Sequence, residues 1–306
     1  MNKTNQKPFL KWAGGKYNLL DNILPKIPDN INNYHEIFLG GGSVLLGVLS
    51  QKNILNNIKG NIYAYDLNEA LINCFKQVKN NSVDLINNLD TLVSEFSSIK
   101  INTLNQRGKP DVTINNYNST REHYYYWIRS KFNDSEKNTL ENASYFIFLN
   151  KTGYGGMYRE SSSGEFNIPY GKKKSKNIPT IFDRDVIINV SRLIQNVTFI
   201  HSDFTESLKK VKKDDFAYLD PPYVPVKNKD SFVGYTKNSF DLKKHTELFK
   251  QIKNLKNVKF IMSNSNEELV RTSFQNFNIN YITARRAINS SNPADTASEV
   301  IICKTT

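Results

Sequence analysis

The chain has 306 residues, and 41 Lys and Arg against 29 Asp and Glu give a formal net charge of +12 at pH 7. Hydrophobic residues make up 39% of the chain and aromatic residues 12%, enough for a buried core, which excludes a wholly disordered protein. The densest apolar runs, residues 43–49 and 145–149, are far shorter than the roughly 20 residues of a membrane span, which excludes an integral membrane protein. The positive charge indicates a polyanionic partner, either nucleic acid or an acidic membrane surface.

Thiols and imidazoles are few in this sequence. Cys74 and Cys303 are the only cysteines, and residues 1–8 lack the apolar stretch of a secretory signal, which predicts a cytosolic protein without disulfides. The histidines are scattered and form no zinc-ligand spacing with the cysteines, so we expect no metal site. They are His35, His123, His201 and His245. No Ser-His-Asp or Cys-His arrangement is recognisable, so we expect no nucleophilic catalysis by the protein.

The start of the chain alternates between two hydrophobic periods. Residues 37–39 form a short apolar run that ends in glycines, and residues 43–49 have helical character. Residues 62–65 form a second apolar run that ends at Asp66, and a helical pattern follows over residues 71–78. A strand, a Gly-rich turn, a helix, a strand and an acidic residue in this order predict a β-α-β unit.

Helical signals dominate from about residue 68 to residue 151. Apolar residues recur at helical spacing over residues 85–96, and Ser135 is expected to cap a helix that ends in the apolar residues 145–149. Residues 101–120, between these helices, are polar and contain glycine and proline, which predicts a surface loop. The segment is therefore interpreted as an all-helical insert.

The alternation of strands and helices returns after about residue 178. Five apolar runs have strand character, and residues 242–252 show the pattern of an amphipathic helix. The predicted strands are residues 197–200, 216–219, 258–262, 279–282 and 300–303. The fold class is therefore α/β, with a sheet that is interrupted by the helical module and then resumed.

Three glycines, Gly40 to Gly42, directly follow the first predicted strand. Glycines between a strand and a helix let the backbone approach a ligand closely, and Asp66 at the end of the next strand is placed to hold a ribose diol. The pattern favours a pocket for a nucleoside cofactor. Leu45 stands where a G-x-G-x-x-G motif has its last glycine, which disfavours a nicotinamide dinucleotide. The alternative interpretation is a tight structural turn.

Residues 11–17 contain a Gly-Gly-Lys sequence of the kind found in phosphate-binding loops. Such a loop needs Ser or Thr directly after its lysine. Tyr17 occupies this position here, so a loop that binds a nucleoside triphosphate is excluded.

A third motif, Asp220-Pro221-Pro222-Tyr223, directly follows the apolar run 216–219. It places a carboxylate, a backbone held rigid by two prolines and an aromatic ring at the carboxyl edge of the sheet. The amine of a nucleobase suits this arrangement. The base would stack on Tyr223, while Asp220 and the carbonyl of Pro221 accept the amine hydrogens and direct the nitrogen lone pair towards a methyl donor. The alternative is that the prolines only end the strand.

Together and in this order, the motifs resemble the Dam-like family of DNA adenine methyltransferases, the alpha group, in which the cofactor motif comes first and the catalytic motif follows the recognition region. The resemblance extends from residues 9–16 to residues 298–302. It implies a Rossmann-like S-adenosylmethionine methyltransferase sheet in residues 1–68 and 179–306, with residues 69–178 inserted as a helical DNA-recognition domain. It also implies S-adenosylmethionine as cofactor and double-stranded DNA as partner, and we expect a monomer.

The resemblance also assigns roles to individual residues. Those implied at the catalytic centre are Asp220, Pro221, Pro222 and Tyr223. Those implied to contact the cofactor are Trp12, Ala13, Gly14, Lys16, Glu36, Phe38, Gly40, Gly42, Asp66, Asp203, Phe204 and Asp220. Within this set the family pattern puts Asp66 on the ribose, Asp203 on the exocyclic amine and Phe204 beside the adenine ring. Ile37 stands where the family has proline, and we expect cofactor binding to survive this change.

Residues 149–159 and 164–171 resemble the family's DNA-recognition hairpin. The resemblance makes Tyr154 a wedge that enters the duplex and Arg159 the reader of a guanine, for which arginine is the preferred bidentate donor. The residues implied to bind DNA are Lys11, Tyr154, Gly155, Met157, Arg159, Pro169 and Lys173. Candidates for phosphate contacts are Lys11, Arg121, Arg129, Lys131, Lys172 to Lys174 and Lys176.

This hairpin departs from the family pattern in three places. Gly155 replaces an asparagine, Glu160 and Ser161 replace a Tyr-Asn or Val-Asn pair, and residues 172–174 are lysines in place of an Arg-Tyr pattern. The family's commonest target with this hairpin is GATC, and we expect GATC or a related short site here.

The sequence thus predicts an enzyme that flips an adenine out of duplex DNA and methylates its N6 amine, mainly through positioning and the electrostatics of Asp220. Two alternatives stay open, an RNA adenine methyltransferase with the same pocket and a catalytically silent DNA-binding protein of the same fold. The hairpin with Tyr154 and Arg159 favours duplex DNA over RNA. The complete motif from Asp220 to Tyr223 argues against a silent protein.

Overall fold

The structure, a computed structural model, describes residues 5–103, 108–171, 180–225, 240–285 and 296–304. The chain divides into two compact units. The first unit comprises Met1–Lys7, Gly14–Asn68 and Leu193–Thr306, and the second comprises Pro8–Ala13 and Glu69–Arg192. We call them the sheet unit and the helical unit.

The sheet unit is built on one mixed sheet. Its strands are β1 (Tyr34–Glu36), β2 (Ile62–Asp66), β3 (Val197–His201), β4 (Phe216–Leu219), β5 (Lys259–Ser265), β6 (Asn278–Arg285) and β7 (Thr296–Lys304). They form a seven-stranded sheet in the order β3-β2-β1-β4-β5-β7-β6. Strands β1 to β5 pair in parallel, and β7 runs antiparallel to both β5 and β6. This arrangement confirms the predicted α/β class.

Helices occur in both units. Those of the described residues are α1 (Leu20–Ile23), α2 (Ser43–Ser50), α3 (Lys52–Leu55), α4 (Glu69–Asn80), α5 (Ser82–Ser98), α6 (Arg121–Asp134), α7 (Leu140–Thr152), α8 (Arg184–Leu193), α9 (Phe204–Lys210), α10 (Leu242–Lys253) and α11 (Glu268–Ser273). Every one of these helices is too short or too polar to cross a membrane. In the helical unit, α7 packs against α4, α5 and α6.

The strand order reverses direction between β1 and β4. From β1 the chain moves outwards to β2 and β3, whereas β4 lies on the other side of β1 and leads outwards to β5. In open α/β sheets, ligands bind outside the carboxyl ends of the strands at such a reversal. The Gly-rich turn after β1 and Asp220 after β4 both lie at this position.

The first strand lies earlier than the sequence pattern predicts. It comprises Tyr34–Glu36, all buried, and not the apolar residues 37–39. Its polar side chains are buried because they have partners: His35 Nε2 lies 3.0 Å from Asp215 Oδ2, and the Tyr34 hydroxyl donates to Glu36. The apolar residues after β1 still contact the neighbouring strand β4, since the Ile37 N–H donates to the Tyr218 carbonyl at 3.0 Å.

The start of helix α7 also differs from the prediction. Thr139, not Ser135, is its N-cap, and the Thr139 hydroxyl accepts the N–H of Asn142 at 3.2 Å. Ser135 instead ends α6, where its N–H donates to the carbonyl of Lys131 at 3.0 Å. Since α6 continues to Asp134, residue 135 lies too early in the chain to begin the next helix.

The helical unit begins at Glu69, where the sequence pattern places the start of the insert, but it extends to Arg192 instead of residue 178 and also includes Pro8–Ala13. Pro8–Ala13 belongs to the helical unit, where the rings of Phe9 and Phe75 meet edge to face with centroids 5.0 Å apart. Helix α8 up to Arg192 also belongs there, and Arg184 forms an ion pair with Asp90 of α5. These contacts join segments that lie far apart in the sequence, so periodicity did not reveal them.

Candidate functional site

The Gly-rich turn after β1 is tied to the end of β2. Gly40 and Gly42 have φ angles of 50° and 72°, a left-handed conformation that glycine adopts without strain. The Gly42 N–H donates to the Leu39 carbonyl at 2.8 Å, which closes the turn before α2. The Gly40 N–H donates to Asp66 Oδ2 at 2.9 Å, so the turn and the acidic residue form one structure.

Asp66 ends β2 and is half-buried. Its Oδ1 accepts the N–H of Asn68 at 2.9 Å, and each oxygen thus has one backbone donor. Burial raises the pKa of Asp66, and these backbone N–H groups counteract the rise. A carboxylate has about four acceptor sites, so Asp66 retains capacity to accept further hydroxyl groups.

Glu36, the last residue of β1, is 1% exposed. One carboxyl oxygen accepts the Tyr34 hydroxyl, and the other accepts the Leu45 N–H in the first turn of α2 at 3.2 Å. Burial raises the pKa of Glu36 to about 8. This arrangement favours a role in fixing the Gly-rich turn and α2 over the direct cofactor contact that the motif predicts.

Asp220 follows β4 and forms an ion pair with Lys16. The Lys16 Nζ lies 2.9 Å from Asp220 Oδ1, and Lys16 is only 4% exposed. The same ammonium donates to the carbonyl of Gly14, whose φ of 76° is again left-handed. Burial raises the pKa of Asp220, while the Lys16 ammonium lowers it. The site therefore contains a buried carboxyl group whose ionised form is stabilised by one buried cation.

Tyr223 completes the motif that begins at Asp220. Its hydroxyl donates to Glu299 Oε2 of β7 at 2.7 Å, and the Lys16 Nζ lies 4.7 Å from the centre of its ring. Pro221 is buried and Pro222 exposed. Sequence reasoning assigned no role to Glu299, although the residue falls in the terminal stretch 298–302 that carries the family resemblance.

Asp203 and Phe204 begin helix α9. Asp203 Oδ1 caps the helix by accepting the Thr205 N–H at 2.9 Å and the Thr205 hydroxyl at 2.8 Å. Phe204 is 5% exposed, and its ring lies 6.0 Å from that of Phe38 and 5.6 Å from that of Phe240. Phe204 is therefore mainly a core residue, whereas the half-buried Phe38 lies beside the Gly-rich turn.

Trp12 and Ala13 belong to the helical unit, whereas the other residues assigned to the cofactor belong to the sheet unit. The Trp12 ring stacks between Phe146 and Tyr158, at centroid distances of 6.5 Å and 6.3 Å. These contacts give Trp12 a packing role within its own unit.

Residues 153–171 form a hairpin, whereas residues 149–152, which the resemblance includes in the recognition hairpin, belong to α7. Gly153 pairs with Tyr170 at its base and Glu160 with Phe166 near its tip, both antiparallel. The Tyr154 N–H donates to the carbonyl of Pro169 at 2.9 Å, which fixes the backbone at Tyr154. That ring is 55% exposed, an unusual position for a large aromatic side chain.

Arg159 is held from across the hairpin. Its Nε donates to Asn167 Oδ1 at 2.7 Å, and the Asn167 N–H donates to the Arg159 carbonyl at 3.0 Å. Sequence reasoning gave Asn167 no role of its own. Met157, two residues before Arg159, is partly exposed, whereas Lys173 lies outside the described residues.

Lys11 is held beside the base of this hairpin by Asn150. The Asn150 side chain accepts the Lys11 N–H at 2.9 Å and donates to the Lys11 carbonyl at 2.8 Å and the Gly156 carbonyl at 3.2 Å. Gly156 has a φ of 65°, and a Cβ there would lie 2.8 Å from the Cβ of Lys11. Close packing therefore places the exposed Lys11 on the same surface as the hairpin.

Within the described residues, no group of three or more His, Cys, Asp or Glu side chains is arranged to hold a metal ion. Cys74 and Cys303 are both free and buried.

Comparison with known proteins gives consistent matches along most of the chain. The family model of D12 class N6 adenine-specific DNA methyltransferases matches residues 12–288. The type II methyltransferase M.MjaIII of Methanocaldococcus jannaschii is 36% identical over 293 residues, 92% of this chain and 93% of that protein. The DNA adenine methylase of Haemophilus influenzae is 31% identical over 95% of this chain and 90% of its own length. The corresponding methylase of Escherichia coli K12 is 28% identical over 93% and 90%.

Proposed function

Because the chain belongs to the D12 class of N6 adenine-specific DNA methyltransferases, we propose that it transfers a methyl group from S-adenosylmethionine to the N6 amine of a flipped adenine in duplex DNA. The proposed target is GATC or a related short site. Family membership confirms the resemblance that the sequence motifs carry.

The observation that carries the proposal is the largely buried Asp220–Lys16 pair at the reversal of the strand order. An ionised Asp220 and the carbonyl of Pro221 are acceptors for the two hydrogens of an exocyclic amine. Accepting both hydrogens draws the nitrogen lone pair out of conjugation with the base. Lys16 supports this role because it favours the ionised form of Asp220 against the effect of burial.

The residues around the Gly-rich turn fit a nucleoside-containing methyl donor. The left-handed Gly40 and Gly42 have no Cβ and permit close backbone approach, and Asp66 retains acceptor capacity for two ribose hydroxyls. S-adenosylmethionine, when bound, supplies an electrophilic methyl group on a sulfonium. Glu36 acts indirectly by holding the turn and α2, while Asp203 Oδ1 caps α9.

The protein's contribution to the reaction is mainly geometric and electrostatic. Tyr223 offers a ring face on which the target base stacks. The amine nitrogen would become positively charged as its bond to the methyl carbon forms and the bond from that carbon to sulfur breaks, which leaves a neutral thioether. The Asp220 carboxylate would stabilise this charge until a proton is released to water. Preorganised charge of this kind is typically the largest single contribution to catalysis.

The helical unit is proposed to be the DNA-recognition domain. Its hairpin exposes an aromatic ring at Tyr154 and holds a guanidinium at Arg159, which suit a wedge and a guanine reader respectively. The net charge of +12 favours phosphate contacts, so we expect binding to weaken with increasing salt.

The test is transfer of a labelled methyl group from S-adenosylmethionine to unmethylated duplex DNA, followed by sequencing that reports N6-methyladenine. Methylation at every GATC, or at another short site, is the expected result. The same assay on RNA of matched sequence is the control. If the enzyme methylates RNA and not DNA, the proposed DNA substrate is wrong and RNA is the substrate. If it binds the cofactor but methylates neither nucleic acid, the proposed catalytic activity is wrong.

A further inference from the structure

The loop that follows Asp220 is held by two neighbouring strands. Ser265 of β5 and Glu299 of β7 are direct partners in the antiparallel register. The Glu299 carboxylate accepts the Tyr223 hydroxyl at 2.7 Å, and the Ser265 hydroxyl donates to the Val224 carbonyl at 2.8 Å. Two side chains at the same level of the sheet thus hold consecutive residues of this loop.

Asn264 strengthens the attachment of the loop backbone. Asn264 is fully buried, and its Oδ1 accepts the Val224 N–H at 3.2 Å. Both backbone groups of Val224 therefore have partners on β5. Since the peptide after Tyr223 is fixed in this way, the remaining freedom of Tyr223 is rotation of its own side chain.

The hydroxyl contact limits that rotation. Burial raises the pKa of Tyr223 and the neighbouring carboxylates raise it further, so the hydroxyl stays protonated and acts as a donor. A hydrogen bond from a hydroxyl to a carboxylate is stronger than one between neutral groups. Functional side chains must be held within about 0.5 Å and 10–20° of the productive geometry. A ring that is held only through its bond to the backbone can rotate beyond these limits, so the contact at its hydroxyl is needed to fix it.

We propose that Glu299 is a positioning residue for methyl transfer, which holds the ring of Tyr223 in the orientation that stacks on the target adenine. The role rests on the proposed function, because the stacking partner is the flipped base. Glu299 touches neither the base nor the methyl donor and acts through the Tyr223 hydroxyl.

Glu299 also affects the charge at the site. Lys16 and Glu299 influence the pKa of Asp220, and Asp220 in turn raises the pKa values of Glu36, Tyr218 and Tyr223. Glu299 raises the pKa of Asp220, opposite to the effect of Lys16. Glutamine at position 299 would keep an acceptor for the Tyr223 hydroxyl and remove the negative charge, so it separates the two effects.

The experiment compares single-turnover methyl transfer by the wild-type enzyme, Glu299→Ala, Glu299→Gln, Tyr223→Phe and the double variant Glu299→Ala/Tyr223→Phe. Loss of the hydrogen bond is expected to slow transfer about tenfold in Glu299→Ala and in Tyr223→Phe, with little change in the Kd of the cofactor. The double variant should be no slower than either single variant, because both remove the same interaction. Glu299→Gln should stay within about threefold of wild type and move the acid limb of its pH–rate profile to lower pH.

A matched control is Glu247→Ala, since Glu247 is exposed on α10 and accepts only from Gln251 of the same helix among the described contacts. The positioning role would be overturned if Tyr223→Phe transferred methyl groups at the wild-type rate. It would also be overturned if the rate of the double variant were reduced by the product of the two single reductions. If Glu299→Ala does not fold, Tyr223→Phe and Glu299→Gln decide, because both preserve side-chain volume. Failure of the wild-type enzyme to transfer would instead reject the proposed function and this role with it.

Discussion

The carboxyl edge of the sheet and the hairpin of the helical unit are held by different kinds of contact. At the sheet edge, the contacts are between charged or polar side chains that are largely buried, such as Lys16 with Asp220 and Tyr223 with Glu299. In the hairpin, backbone hydrogen bonds join the two arms, such as that from the Tyr154 N–H to the Pro169 carbonyl, while the Tyr154 side chain is left exposed. Transfer chemistry needs fixed charges shielded from water, whereas reading DNA needs exposed side chains on a rigid backbone.

Both elements depart from the family pattern that the motifs resemble. At the sheet edge Ile37 stands where the pattern has proline, and in the hairpin Gly155 stands where it has asparagine. Gly155 has a φ of 66°, and glycine and asparagine are the residues that tolerate this left-handed conformation best. Glu160 accepts the Tyr158 hydroxyl at 2.6 Å, so this departure is also built into the hairpin. Both residues are therefore accommodated in the hairpin as it is folded here.

The largest effect is expected from breaking the sheet edge at Asp220. Asp220→Asn removes the carboxylate and should lower the rate of methyl transfer about a hundredfold or more, with cofactor binding retained. Single-turnover transfer and calorimetry measure the two properties. Asp241→Asn is the matched control, since Asp241 caps α10 and asparagine caps equally well. Transfer at the wild-type rate by Asp220→Asn would reject the proposed mechanism.

A second variant at the sheet edge tests the buried carboxyl of Glu36. Its folded pKa of about 8 lies above the ordinary value of 4.5, so its contribution to stability is complete below pH 4.5 and is lost as the pH rises to 8. Glu36→Gln mimics the protonated form. As the pH rises from 4.5 to 8, the free energy of unfolding of wild type should therefore fall by roughly a few kcal/mol relative to that of Glu36→Gln. Denaturant titrations at several pH values measure it, with the exposed Glu206→Gln as control, and parallel curves would contradict the assignment.

The smallest effect is expected in the hairpin, where recognition is shared among exposed groups. Arg159→Ala should reduce discrimination at a guanine of the site by roughly 1–3 kcal/mol while cofactor affinity stays unchanged. Competition between cognate and substituted duplexes measures this discrimination. Arg192→Ala removes an exposed arginine of α8 and serves as the control for charge alone. If Arg159→Ala lost the same affinity for cognate and substituted DNA, Arg159 would contact the phosphate backbone and not a base.

The parts of the fold that follow local patterns were predictable from sequence. The strand over residues 216–219 and the helix from residue 242 lie where the apolar periods placed them. Asp66 and Asp220 could be singled out because each ends a strand of the predicted sheet. By contrast, the strand Tyr34–Glu36 gave no apolar signal, because its polar side chains are satisfied by Asp215 and by each other. Such partners become visible only when the chain is folded.

The sequence by itself determined the α/β class, the family and the order of the motifs, because hydrophobic period and turn chemistry act over a few neighbouring residues. Only the tertiary structure decided which polar groups act together. It paired Lys16 with Asp220, Glu299 with Tyr223 and Asn150 with Lys11. It also placed Pro8–Ala13 in the helical unit. These pairings join residues distant in the chain, and burial makes each partner necessary, since an unpaired charge or donor in the interior is costly.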